Sequence, residues 1–212
     1  NLAGLQTNQP VLKRTKPTQQ ASLVDRVVNM LSFGLIDLST LKDIKLQSFS
    51  FVEDREYGYQ VNVDMQYGIV NIYQNYEKWP QANYDCMTVA CQTPPAQLTL
   101  KDIPSNEDAI AAADGFLSQY KISKDGYSTP RVVDSYWRIA YEAAPADQRS
   151  NLYIPEQVQV VYPLKLEGKE VYDEGGTVYG LNVMVDARTK RVMNVNELTS
   201  KQFEQSNYKG ET

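Results

Sequence analysis

Residues 179–195 read YGLNVMVDARTKRVMNV, and residues 57–73 read YGYQVNVDMQYGIVNIY. At an offset of 122, Tyr57 falls on Tyr179, Gly58 on Gly180, Val61 on Val183, Val63 on Val185, Asp64 on Asp186 and Val70 on Val192. Each phrase alternates, sending valines to one face of a strand and Gln, Asn or Asp to the other. Each turns after Val-Asp and resumes on a β-branched residue, so each predicts a hairpin. An Asp accepts backbone hydrogen bonds where the turn starts, and Gly68 supplies a positive φ where it ends. Lys190 stands where Gly68 stands. Either it adopts the left-handed conformation, at a cost of about 1 kcal/mol, or the second turn is of another type. Asp64, Gly68, Asp186 and Lys190 are thus assigned to turns. The paired phrases read either as an internal repeat or as two hairpins alike by chance.

Outward from the first phrase, KLQSFSFVED predicts a strand with Phe49 and Phe51 on one face. Before it, Leu23, Val24, Val27, Val28 and Leu31 recur at helical steps between Ser22 and Gly34. Upstream of the second phrase, SNEDAIAAADGFLSQYKI predicts a helix with Ser105 as N-cap and Asp108 three residues on. Its apolar face holds Ala109, Ile110, Ala113, Phe116, Leu117 and Tyr120. Gly115 within it is expected to mark a close approach to a neighbour. RVVDSYWRIAYE, QVQVVYPLKLEG, TVYGLNVMVD and KRVMNVN predict strands, with Trp137 in the core, a turn at Glu174-Gly175-Gly176 and a tail helix in TSKQFEQSNY. The expected fold class is α+β: two modules, each a helix packed on a curved antiparallel sheet. Residues 1–20 read as a leader or linker, 21–94 as a first module with a cysteine loop, and 95–212 as a second. The prolines at 94, 95 and 104 mark the boundary.

The run Val185-Asp186-Ala187-Arg188-Thr189-Lys190-Arg191-Val192 resembles the strand–turn–strand signature of PepSY-like domains, V-D-A-x-T-G-x-V. Asp186, Ala187, Thr189 and Val192 match it, and Lys190 replaces the usual Gly. The helix NEDAIAAADGFLSQY resembles the E-A-I-x-x-A helix of the same families. The plan is also similar to YycH/YycI-type extracytoplasmic regulators. The resemblance covers mainly the second half. It implies a cystatin/PepSY-like fold and a non-enzymatic module of a bacterial envelope protein, regulatory or peptidase-restraining, with no catalytic residues to carry over.

Composition bounds the function from another side. The 212 residues are 42% apolar and 22% charged, ordinary for a globular chain. With 21 basic and 26 acidic residues the net charge is −5, which argues against nucleic acid and against adhesion to anionic lipid. Histidine is absent, removing the commonest general base and metal ligand. Cys86 and Cys91 are too few for a zinc site and too far apart for a redox CxxC. They read as a disulfide closing a small loop, worth about 2 kcal/mol, or as two free thiols. A disulfide implies an extracellular, periplasmic or cell-surface setting. The chain opens on Asn, so an upstream signal peptide or membrane anchor is expected.

Candidate chemistry is thin. Ser39/Lys42 and Ser118/Lys121 fit S-x-x-K without the elements that accompany it in penicillin-interacting enzymes. Glu53-Asp54 and Asp173-Glu174 are adjacent carboxylates, which on a strand face opposite ways. No catalytic, metal or cofactor residue is assigned. IYQNYEKWPQANYDC places Tyr73, Tyr76, Trp79 and Tyr84 near the cysteines. They suit either a partner-binding surface or strand-face packing. The expected function is a non-catalytic binding or regulatory ectodomain of a bacterial envelope or secreted protein, with a protein or peptide partner and membrane contact only through an anchor outside the chain. The alternative is a structural subunit of a surface assembly or secretion apparatus.

Overall fold

The alternation in the two phrases builds a single sheet. The computed structural model describes residues 12–14, 47–64, 69–80, 98–133, 136–149, 152–173, 175–198 and 203–205. Strand β1 (Leu12–Arg14) is followed by β2 (Ser48–Val52), β3 (Tyr59–Asp64) and β4 (Ile69–Gln74). Helix α1 (Asn106–Gln119), β5 (Arg131–Val132) and helix α2 (Tyr136–Ala143) come next. Then come β6 (Gln157–Pro163), β7 (Lys165–Leu166) and β8 (Lys169–Glu170). β9 (Gly180–Asp186), β10 (Val192–Leu198) and β11 (Phe203–Gln205) are the last elements among the described residues.

Seven strands form one antiparallel sheet in the order β2-β3-β4-β10-β9-β6-β5. β3 buries Tyr59, Val61 and Val63 and turns Gln60, Asn62 and Asp64 to the other face. β9 does the same with Leu181, Val183 and Val185. Each fully buried valine contributes about 1.5–3 kcal/mol, so the pattern fixes which face meets the core. β10 needs a further device. Its buried residues Val192, Val195 and Leu198 are three apart, and a regular strand cannot put them on one face. The register slips between Val192 and Asn194 and again between Val195 and Leu198, and these bulges return each apolar residue to the core.

Helix α1 covers the core face. Ser105 Oγ accepts from the Asp108 N–H (3.1 Å) and donates to Asp108 Oδ2 (2.8 Å), closing the N-terminus as the sequence predicts. Ala109, Ala113, Phe116 and Leu117 are buried over β6, β9 and β10. An edge-to-face aromatic cluster joins Tyr59 to Phe116, Tyr120 and Trp79, at centroid distances of 5.0, 5.7 and 5.7 Å.

The structure corrects the expected fold class. In place of two modules, each a helix on its own curved sheet, one seven-stranded sheet carries the 14-residue helix α1 on its core face. β4 and β10 pair directly, with Asn194 opposite Tyr73 and Val195 opposite Ile72. Kept apart, each hairpin would leave an unpaired edge and a half-sized core; joined, those edges satisfy each other. Residues 21–94 and 95–212 thus contribute strands to the same sheet. RVVDSYWRIAYE is not one strand: it holds the two-residue β5 and then α2. Phe203–Gln205, within the expected tail helix, form the strand β11, which pairs with β1 of the expected leader. Gly115 is exposed, and a Cβ there would meet nothing within 4 Å. The helix read over 22–34 lies outside the described residues.

Candidate functional site

The sheet face away from α1 carries amides. Gln60, Asn62, Asn182 and Asn194 are half-buried there, and several bond one another. Ser50 Oγ and Gln60 Nε2 both donate to Asn62 Oδ1, at 2.7 and 3.1 Å. Gln159 Nε2 donates to Asn182 Oδ1 at 2.7 Å, and Asn196 Nδ2 to Asn194 Oδ1 at 3.1 Å. Mutual bonding lets this face approach apolar groups without orphaned donors.

At its β5–β6 end α2 overhangs the sheet and encloses a cleft of about 320 Å³. Val132, Val133, Trp137 and Arg138 form one wall, and Tyr153 and Pro155 the other. Gln157, Gln159 and Met184 form the floor. The Arg138 guanidinium sits over the Trp137 ring, 5.3 Å from its centroid, which keeps a cation at the rim. Tyr153 is 73% exposed. Gln159 spends a donor on Asn182 and keeps Oε1 as an acceptor. The lining offers aromatic and apolar surface, two glutamine amides, a phenol and a guanidinium. Behind the cleft, Arg131 grips Glu170 through two bonds, 3.1 and 3.0 Å, tying the β7–β8 hairpin to β5. That guanidinium holds the Glu170 carboxyl below the usual carboxylate range.

Among the described residues singled out from the sequence, Asp186 and Lys190 share one turn, the Lys190 N–H donating to the Asp186 carbonyl at 2.9 Å. Trp79 is buried, and its Nε1 donates to the Gly58 carbonyl at 2.8 Å. Tyr76 is 60% exposed and Tyr73 half-buried, and Tyr84 lies outside the described residues. Cys86, Cys91 and Gly68 also lie outside them. Asp64 ends β3. Asp186 Oδ1 accepts from the N–H of Arg188 (3.1 Å) and Thr189 (2.6 Å) and from Thr189 Oγ1 (2.8 Å). Lys190 takes the left-handed conformation, φ 59°, and its Nζ donates to the Asp102 carbonyl.

The adjacent carboxylates part ways. Glu53 accepts from the Tyr59 N–H (3.0 Å) and from Tyr120 Oη (3.1 Å) and pairs with Arg55 (3.0 Å), whereas Asp54 pairs with Lys78 (2.5 Å). Asp173 Oδ1 caps its own turn through the N–H groups of Gly175 and Thr177. Ser118 and Lys121 are both exposed, and Ser39 and Lys42 lie outside the described residues.

Sequence reasoning missed the cleft because it took Trp137 for a core residue on a strand. Trp137 is half-buried on α2. The available signal was Tyr136, Trp137, Ala140 and Tyr141 at helical steps ahead of Pro145. No protein-family model, no curated protein and no solved structure matches the chain.

Proposed function

We propose that the chain is a non-catalytic binding ectodomain of a bacterial envelope or secreted protein, and that it seats an apolar or aromatic side chain of a protein or peptide partner between α2 and the sheet. One observation carries the reading: a cleft walled by Trp137, Tyr153 and Val133, floored by Met184 and two glutamines, and rimmed by Arg138. Aromatic walls give contact area at little entropic cost, and the glutamines give a peptide backbone something to bond. Arg138 favours an acidic residue beside the anchor. The envelope setting is supported by the cysteine pair and the PepSY-like phrase of the sequence.

Selection of displayed peptides against the folded chain tests it. Selected peptides should share an apolar anchor flanked by an acidic residue. Trp137→Ala and Met184→Lys should each weaken their binding about tenfold or more, and Arg138→Gln should relax the acidic preference. Peptides that bind these variants as tightly as the parent would exclude the cleft.

A further inference from the structure

β2 stands at one end of the seven-stranded sheet, and its outer side has a specific pattern. The Glu53 N–H donates to the Tyr59 carbonyl at 2.8 Å, and the β2–β3 register continues from that pair through Phe51–Val61 and Phe49–Val63. By the alternation of an antiparallel ladder, Phe49 and Phe51 turn their backbone groups toward β3, and Ser48, Ser50 and Val52 turn theirs outward. Those outward N–H and C=O groups have no partner among the described residues. Ser48 and Ser50 are exposed, and Val52 is 57% exposed. Edge strands are usually protected by lysine, proline or a bulge. β2 reads Ser-Phe-Ser-Phe-Val, with no charge and no proline, and pairs with β3 without a register shift.

We propose that β2 pairs antiparallel with β2 of a second copy of this chain, about a twofold axis through Ser50. The strand is complementary to itself in that register. Ser50 meets Ser50, and Ser48 meets Val52 of the second copy, so every outward residue faces an outward residue. Each of these three pairs exchanges two backbone bonds. Between them Phe49 stands opposite Phe51 of the second copy in the closely spaced, non-hydrogen-bonded positions where cross-strand aromatic pairs are favourable. Phe49 and Phe51 already lie on one face, ring centroids 5.1 Å apart and edge to face. A twofold axis sets charges near the centre against their own kind, and β2 carries none to repel. The cleft lies at the other end of the sheet, so pairing joins two sheets into one and leaves both clefts open. So short an edge makes a small interface, and the dimer is weak and concentration-dependent.

Sedimentation velocity over a wide concentration series tests the pairing. The parent chain should pass from monomer to dimer. Ser50→Lys puts lysine opposite lysine and should shift the midpoint about tenfold or more toward higher concentration. Ser50→Glu should do the same, and mixing the two should restore a heterodimer. Ser48→Lys/Val52→Lys repeats the test in the flanking pairs should the Ser50 variants fold poorly. Circular dichroism and melting confirm that each variant is folded. A parent that stays monomeric throughout, or folded charge variants that dimerise like the parent, would overturn the proposal.

Discussion

Gly58 and Gly180 hold corresponding places in the two phrases, and at each another backbone occupies the space of a side chain. A Cβ on Gly58 would lie 2.6 Å from the Glu53 carbonyl oxygen, and one on Gly180 would overlap the Tyr162 carbonyl and lie 2.9 Å from Pro163 Cα. Neither neighbour can swing aside, because both are main chain. Gly180→Ala should therefore lower stability by about 3 kcal/mol in chemical denaturation. Gly115→Ala should do the opposite and raise it by about 0.5–1 kcal/mol, since α1 gains helix propensity and the new methyl meets nothing. The contrast shows what a lone glycine conveys in a sequence. The helical step places Gly115 on the side of α1 away from Ala109 and Ala113, so its exposure was legible even though a close approach was expected. The turn role of Asp186 was legible for a stronger reason, since a short carboxylate after a strand has nearby N–H groups to accept from. Asp186→Ala removes three hydrogen bonds at the turn where Lys190 holds a left-handed φ. It should cost about 1–3 kcal/mol by the same measurement.

Strands with strict alternation were readable one by one. β3 and β9 each set valines on one face, and no helix accommodates that period. β10 was readable as a strand but not as a bulged one, because its apolar spacing of three fits neither regular period. α2 was misread as a strand, since aromatic and β-branched residues favour strands only when a neighbouring strand is there to pack on, and β11 was misread as a helix, since its pairing with β1 is a distant contact that its polar local sequence does not announce. The β7–β8 hairpin is tied at its base by the bond from the Lys165 N–H to the Gly126 carbonyl at 2.8 Å. Only two residues pair on each side, and the Arg131–Glu170 fork reaches it from β5. The fork is largely solvent-exposed, so Arg131→Ala should change global stability by less than about 1 kcal/mol. It should nonetheless speed amide hydrogen exchange over residues 165–170, measured by mass spectrometry, because local opening no longer has to break the fork. Unchanged exchange there would mean that the hairpin is held by its own turn and the Lys165–Gly126 bond without the fork.

At the scale of the whole molecule, the β4–β10 pairing was the least legible feature. It joins Ile72 to Val195 across most of the chain, and no local pattern of either strand names its partner. What the pairing creates is one core in which three tyrosines are almost wholly buried: Tyr59, Tyr120 and Tyr162. Burial pushes the ionisation of all three well above the ordinary tyrosine value of 10.0. Around Tyr162 the hydrogen bond that its Oη donates to Asp114 (2.9 Å) adds to the rise. Tyr59 likewise spends its proton on the Val192 carbonyl at 2.6 Å. The sign follows from proton counting. Above about pH 10 an unfolded chain releases these protons while the folded chain keeps them, so folding then binds protons. Their stabilising effect is complete below the unfolded value and is lost as pH rises through and beyond it. The chain should therefore unfold cooperatively in base. Tyrosinate absorbance from Tyr59, Tyr120 and Tyr162 should rise only together with loss of circular dichroism. Tyr162→Phe removes one of the three retained protons and should flatten this tyrosine part of the alkaline limb by about a third, although it weakens the fold at neutral pH by breaking the bond to Asp114. A single smooth titration with the sheet signal intact would mean that the three rings ionise inside the folded core, and the core would then be far more open to water than its packing requires.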